Sequence, residues 1–293
     1  MIALRLLGPV ELTVHGEAPP AELLWKKNLA LLVYLALSPR HTRTREHLTG
    51  LLWGDKPESA ARHSLNEALR VLRRAVGEGA LQTDATAVKL EPGTVTSDLD
   101  AFARLETAKQ WTEAAALVGG PLLEGFAVPG ESGFEDWLVA ERSQWERRSV
   151  AALVHAAELG LSSGGTARSV GLAERAMVLA PTSSQAAGVM IRALALSGNR
   201  AAALGRYEDY VQTLSERLGL GPEADVAAVA DRIRKGRLEP APESDAAKVA
   251  LTRRHPLHGR EKALATLTGA WRGAVTNTQT GVVVVLADAG LGK

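Results

Sequence analysis

The sequence predicts a mainly helical protein: an N-terminal winged helix of mixed α and β structure, followed by an all-helical domain of tetratricopeptide-like hairpins. Three observations predict it. Residues 1–97 run through two strands, three helices and a closing hairpin; residues 98–235 keep a helical apolar period with no strand pattern; and the second stretch holds three segments of similar form.

The first strands come from Leu4, Leu6, Val10, Leu12 and Val14, which alternate with polar residues and are interrupted at Gly8-Pro9. A helix follows over Leu23 to Leu37, with apolar Leu24, Leu31, Leu32 and Leu35, and Ser38-Pro39 ends it because the residue before proline avoids the α region. Thr44 can cap a second helix that carries Leu48, Leu51, Leu52 and Trp53 to a stop at Gly54. A third is expected from about Ser59 to Val76. Asp55 and Glu58 have capping-box spacing before it, Pro57 suits its first turn, and Gly77 and Gly79 follow it. LQTDATAVKLEPG then reads as a hairpin turning at Asp84-Ala85.

In the helical stretch, segments beginning at Gln110, Gly165 and Asn199 each open on a polar turn, place Ala where helices must approach closely, and continue as an apolar face. Pro181 and Pro222 mark the ends of two of them. Trp137 and Trp145 fall on one helix face, where core or inter-domain packing is expected, and Tyr207 and Tyr210 fit packing within a hairpin. Residues 236–257 are expected to be a linker, since they begin with a polar, proline-containing run without apolar period.

Composition narrows the function classes. Hydrophobic residues make up 46% and charged residues 23% of the 293, which fits globular domains and argues against wholesale disorder. The N-terminal apolar run is broken by Gly8-Pro9 and no later run is long enough to span a membrane, so a cytoplasmic protein without membrane attachment is expected. With no cysteine, disulfides, thiolate catalysis and zinc fingers are excluded, and the seven histidines do not pair with carboxylates at metal-ligand spacing; no metal is expected. Net charge is +1, so only local clustering can argue for nucleic acid.

That clustering lies on the third helix. At 100° per residue, Ala61, Leu65, Ala68, Leu69, Leu72 and Val76 share about 100° of arc, while Arg62, Arg73, Asn66, Arg70, His63 and Arg74 share about 120° of the remainder. One face can dock on a core while the other enters a major groove. Arg62, His63 and Asn66, near the helix start, are candidates for base edges; Arg70, Arg73 and Arg74 are better placed for phosphates. Lys26 and Lys27 at the first helix, Arg43 and Arg45 at the second, and Lys89 in the hairpin could each add a backbone contact. A solvated Arg-rich face on an ordinary helix has the same letters, and it is the other elements' cations that favour DNA.

LRLLGPVELTVHG, the helix ending LLWGD and SAARHSLNEALRVLRRAVG resemble the OmpR/PhoB-type winged helix of the Streptomyces antibiotic regulatory proteins. GGPLLEGF, FEDWLVAERSQWERR, ERAMVLAP and the run from ALALSGNR to GPEADV resemble their bacterial transcriptional activator domain, giving expected domains at 1–97 and 98–235. The resemblance implies a non-enzymatic activator that binds direct repeats in double-stranded promoter DNA, with a dimer on DNA left open, and engages RNA polymerase holoenzyme. Arg62, Arg73 and Arg74 match the family's letters, Asn66 stands where Gln is frequent, and His63 stands where Asn is usual. The hairpin departs: family wings carry Arg and a Gly-Tyr step, whereas ALQTDATAVKL has neither and contains Asp84. The alternative is a non-enzymatic protein-interaction module with a degenerate winged helix.

Residues 258–293 resemble the entry to the nucleotide-binding domain of the larger members. Four valines lead into a phosphate-loop pattern in which Gly290, Gly292 and Lys293 fit, Ala287 replaces the first Gly, and no hydroxyl residue follows. The expectation is the first strand of an NTPase domain, incomplete and without hydrolysis in this chain; ATP and magnesium would belong to a longer parent, and no cofactor to the rest.

Overall fold

The computed structural model describes residues 1–237 and, beyond them, Thr266, Thr268 and Gly269. Two compact units are present, Met1–Glu243 and Ser244–Lys293. In the second, Thr266, Thr268 and Gly269 are helical and exposed. Nearly all of the expected linker, and the phosphate-loop residues Gly290, Gly292 and Lys293, lie outside the described residues.

The first unit opens with β1 (Ile2–Arg5) and β2 (Glu11–Val14), antiparallel and alternately buried, as their period of two requires. A 3-10 turn over Ala21–Leu24 and an extended Trp25 precede α1 (Lys26–Leu37), so the first expected helix is two pieces. Every residue from Asn28 to Leu35 in α1 is buried, which makes it the central helix of this part. Asn28 is tolerated there because its Nδ2 donates to the Glu22 carbonyl at 2.8 Å. After β3 (Thr42–Thr44) comes α2 (Arg45–Trp53), whose His47 amide donates to the Thr44 hydroxyl, then α3 (Glu58–Val76). The expected capping box at α3 does not form. Pro57 takes the cap position with no side-chain acceptor, and Glu58, now inside the helix, pairs with Arg62. Strands β4 (Leu81–Thr83) and β5 (Ala87–Leu90) make the hairpin, in a sheet of order β3-β5-β4; β6 (Val95–Ser97) lies parallel to β1 in a second sheet, β2-β1-β6.

The helical part consists of α4 (Asp98–Thr107), α5 (Trp111–Leu117), α6 (Ser132–Ser162), α7 (Thr166–Leu179), α8 (Ser184–Leu196), α9 (Arg200–Leu218) and α10 (Ala224–Arg234). Gln110, Gly165 and Asn199, the starts of the three similar segments, are the caps of α5, α7 and α9. Each segment is therefore the second helix of a hairpin. The spacing is irregular because α6 is 31 residues long: its second half packs with α7, while its first half docks on the winged helix. Left-handed Gly219, rather than Pro222, stops α9.

The docking is chemical as well as apolar. Glu131, the cap residue of α6, is 3% exposed; its carboxylate accepts from Lys27 Nζ on α1 and, at 3.3 Å, from the Gly54 amide at the end of α2. Trp137 meets the Tyr34 ring edge-on at 4.8 Å, bringing α6 onto α1, and Trp145 packs against Phe102 at 5.7 Å. Further along, the Asp98 carboxylate accepts from the Leu6 and Leu7 amides at 2.9 Å, and the Leu6 and Gly8 carbonyls accept from Leu123 and Glu124 at 2.8 and 2.9 Å. Burial raises the Asp98 pKa, and the backbone donors at Leu7 and Leu6 act against that rise. Glycine is required where these backbones meet. Gly8 has φ of 140°, and a Cβ on Gly119 would lie 2.8 Å from the Leu7 carbonyl. Arg142 then clamps the connecting loop, donating to the carbonyls of Leu122, Leu123 and Phe126.

Glu131→Ala leaves the Lys27 ammonium and the Gly54 amide without their acceptor. It is expected to destabilise the unit by about 3 kcal/mol, read as a lower denaturant midpoint, whereas Glu141→Ala on the same helix should change it by less than about 0.5 kcal/mol.

Candidate nucleic-acid interface

The apolar positions of α3 account for its placement. Ala61, Leu65, Ala68, Leu69, Leu72, Ala75 and Val76 are buried against the winged-helix core. The opposite face is left to solvent, and Arg62, His63, Asn66, Arg70 and Arg74 are all exposed there. Arg62 pairs with Glu58, Arg70 with Glu67, and Arg74 Nη2 lies 2.6 Å from Glu22 Oε2 of the 3-10 turn. His63 stands free of partners among the described residues. Arg73 is half-buried, and its guanidinium donates to the Thr83 hydroxyl at 2.9 Å, tying α3 to β4.

The flanking cations divide. Arg45, at the start of α2, reaches across to donate to the Asn66 side-chain oxygen, so two elements present one joined polar surface. Lys26 is exposed at the start of α1. Lys27 turns inward to Glu131 and lies 5.8 Å from the Trp53 ring centre; Arg43 turns inward as well, donating to Ser38 Oγ at 2.9 Å and lying over the Tyr34 ring at 5.3 Å. Lys89 pairs with Glu91 at 2.8 Å on the hairpin. Burial, and then the charge of Arg43, lower the His47 pKa, which favours the neutral ring beside the Tyr34 hydroxyl, 2.6 Å away.

Between α2, the start of α3 and the hairpin turn runs an open groove of about 820 Å³ whose lining includes Arg45, Thr49, Lys56, Arg62, Asn66 and Thr86, with two carboxylates, Glu46 and Glu58, among them. Lys56, Thr49 and Thr86 were not singled out from the sequence. Lys56 gave the clearer signal, standing beside Pro57 at the start of the basic helix; Thr86 gave none, because the turn brings it there. Cations and hydroxyls around a groove beside a helix with exposed Arg and Asn can donate to phosphates and to base edges alike. Among the described residues, no group of His, Asp and Glu could hold a metal ion, and no helix is long and apolar enough to cross a membrane.

The helical part decides the family. A family model described as the bacterial transcriptional activator domain matches residues 83–234. The chain belongs to that family. The match takes in the end of the winged-helix hairpin and the whole helical part, and an N-terminal winged helix followed by tetratricopeptide-like hairpins is the fold that the sequence predicted. A solved structure, Mycobacterium tuberculosis EmbR in complex with a low-affinity phosphopeptide, is similar at a TM-score of 0.65 and 22% identity, over 96% of this chain and 73% of that one. At that identity the likeness shows a shared fold. No curated protein matches significantly.

Asp84, the residue that departs from the pattern of family wings, builds the turn of this activator's hairpin. Its Oδ1 accepts from the amides of Thr86 and Ala87 at 2.6 and 2.7 Å and from the Thr86 hydroxyl at 2.8 Å. Those bonds favour the carboxylate and lower its pKa from 3.8. The contribution to turn order is thus present above pH 3.8 and lost as pH falls through the lower folded value. The Thr86 and Ala87 amide shifts should move toward unstructured values over that acid range, and Asp84→Ala should show them displaced at neutral pH.

Proposed function

We propose that the protein binds double-stranded promoter DNA through α3 and activates transcription by engaging RNA polymerase holoenzyme through its helical part. One observation carries the DNA half of this reading: a helix docked by one face on the core presents Arg62, His63, Asn66 and Arg70 on the other, with Arg45 bonded to Asn66 from a second element. Arg62, His63 and Asn66 would read base edges in the major groove, where Arg recognises guanine and Asn adenine bidentately. Arg70, Arg74, Lys26 and Lys56 would hold phosphates, which set register without reading sequence. Arg73, Lys27 and Arg43 act in this reading by positioning, since each is half-buried and its bond ties elements of the fold together, whereas the partners of Arg62, Arg70 and Arg74 leave those side chains exposed. Family membership supports the activator half and is consistent with a cytoplasmic site of action. The reading needs no cofactor in the described part.

Duplexes selected from a random pool by the protein provide the test. Arg62→Ala and Asn66→Ala should each cost about 1 to 3 kcal/mol on the selected site and relax preference at one base position. Arg70→Ala should weaken all duplexes alike and lower the salt slope by about 1. Selection that recovers no preferred sequence, with binding insensitive to salt, would leave the protein as an interaction module. Retention of holoenzyme on immobilised protein tests the polymerase contact.

A further inference from the structure

We propose that Glu58, Glu67 and Glu22 are anionic gates on the α3 reading face: paired with Arg62, Arg70 and Arg74, they suppress attraction to phosphate of any sequence, so that DNA is retained only where base contacts make up what the pairs withhold. The proposal rests on the DNA-binding reading above and concerns its specificity.

The pairs come from three different relations in the chain. Glu58 lies one helical turn before Arg62, Glu67 lies three residues before Arg70, and Glu22 arrives from the 3-10 turn ahead of α1 to meet Arg74 at the far end of α3. A first-turn acid is favoured by the helix dipole, which would explain Glu58 alone; it does not explain an acid in mid-helix or one delivered by tertiary contact. Fold stability does not explain them either. Side-chain exposures are 69% and 78% for Arg62 and Glu58, 65% and 47% for Arg70 and Glu67, and 61% and 47% for Arg74 and Glu22. Ion pairs so exposed contribute little to folding.

Their effect on DNA is larger than their effect on the fold. Binding without sequence preference depends almost wholly on cations that displace counterions from phosphates. A guanidinium held by a carboxylate does this poorly, and the carboxylate itself repels the backbone. Base contacts are short, directional and often bidentate, and can reorient an exposed Arg that a weak pair holds. Thus the Glu58 gate subtracts more from random binding than from cognate binding, where Arg62 turns to a base, while the Glu67 and Glu22 gates lower phosphate attraction on every duplex and leave the base contacts to decide which is retained. The hairpin is balanced in the same way, with Lys89 paired to Glu91. The arrangement also accounts for a reading surface in a chain whose net charge is only +1.

The test measures binding of the full chain to a mixed-sequence duplex of about 30 base pairs between about 50 and 200 mM salt. Glu58→Gln/Glu67→Gln should bind it about tenfold tighter at the low-salt end, with a salt slope steeper by up to about 2. On a duplex selected by the wild type the gain should be smaller, so the specificity ratio falls. Glu208→Gln/Glu216→Gln on α9, both exposed, makes the same charge change away from the face and should leave binding within about twofold. Glu67→Gln alone, expected to gain about threefold, serves if the double variant does not fold. Equal or weaker binding by a folded α3 variant, or an equal gain from the α9 variant, overturns the proposal while leaving the DNA-binding reading intact. If neither wild type nor the α3 variants bind any duplex at low salt, the DNA-binding reading falls and the gates with it.

Discussion

A buried carboxylate at the head of α6 sets how the winged helix meets the helical part within the first unit. Glu131 can be removed from water only because an ammonium and a backbone amide meet it, and these come from α1 and α2, at separate places in the winged helix. A charge at 3% exposure tolerates little displacement of its partners. The first turns of the long helix are therefore fixed to two of the three winged-helix helices, and Trp137 on Tyr34 adds an apolar contact on the same side. At the other end of the seam, Asp98 and the Gly119–Glu124 backbone hold the Leu6–Gly8 segment by main-chain hydrogen bonds. The winged helix and the helical hairpins accordingly share one seam of polar anchors within an apolar core.

Much of the fold was legible because its elements carry their own periodicity. The strands of residues 1–15, the cap at Thr44, and the starts of α5, α7 and α9 are local facts that local patterns reveal. What the sequence did not reveal was long-range. The pairing of β6 with β1, the short β3 beside the hairpin, and the doubling of α6 as docking helix and hairpin helix depend on partners far away in the chain. The leading Gly119-Gly120 pair of GGPLLEGF was visible as letters. Its reason, a backbone approach to Leu7 and Gly8, exists only in three dimensions.

The interface was legible to a similar depth. Projection of α3 separated the buried face from the exposed one, since helix geometry is regular enough to assign faces from numbering alone. It could not say which cations point outward. Lys27 and Arg43 look from the sequence like Lys26 and Arg45, yet the first pair is drawn into Glu131, Ser38 and Tyr34 and the second is not. Nor could it show that Asp84, an acid in a hairpin expected to be basic, organises the turn that carries Thr86 to the groove. Composition rules treat a charge as free; its partner decides what it does.

The seam gives the proposed activator a mechanical consequence. An effector domain on a free linker would place its polymerase-contacting surface anywhere within the linker's reach, and DNA position would constrain it weakly. Here α6 begins on the winged helix and continues, as one helix of 31 residues, into the hairpin with α7. A rotation of the reading helix on DNA must therefore carry the α7–α9 array with it, or else break the Glu131 and Asp98 anchors together. On the proposed reading, the register of α3 in the groove fixes where the helical surface faces along the duplex, so spacing between the bound site and the polymerase site becomes a geometric requirement. Weakening the seam would relax that requirement before it abolished DNA binding, because the α3 face and the groove beside it are built entirely from winged-helix residues.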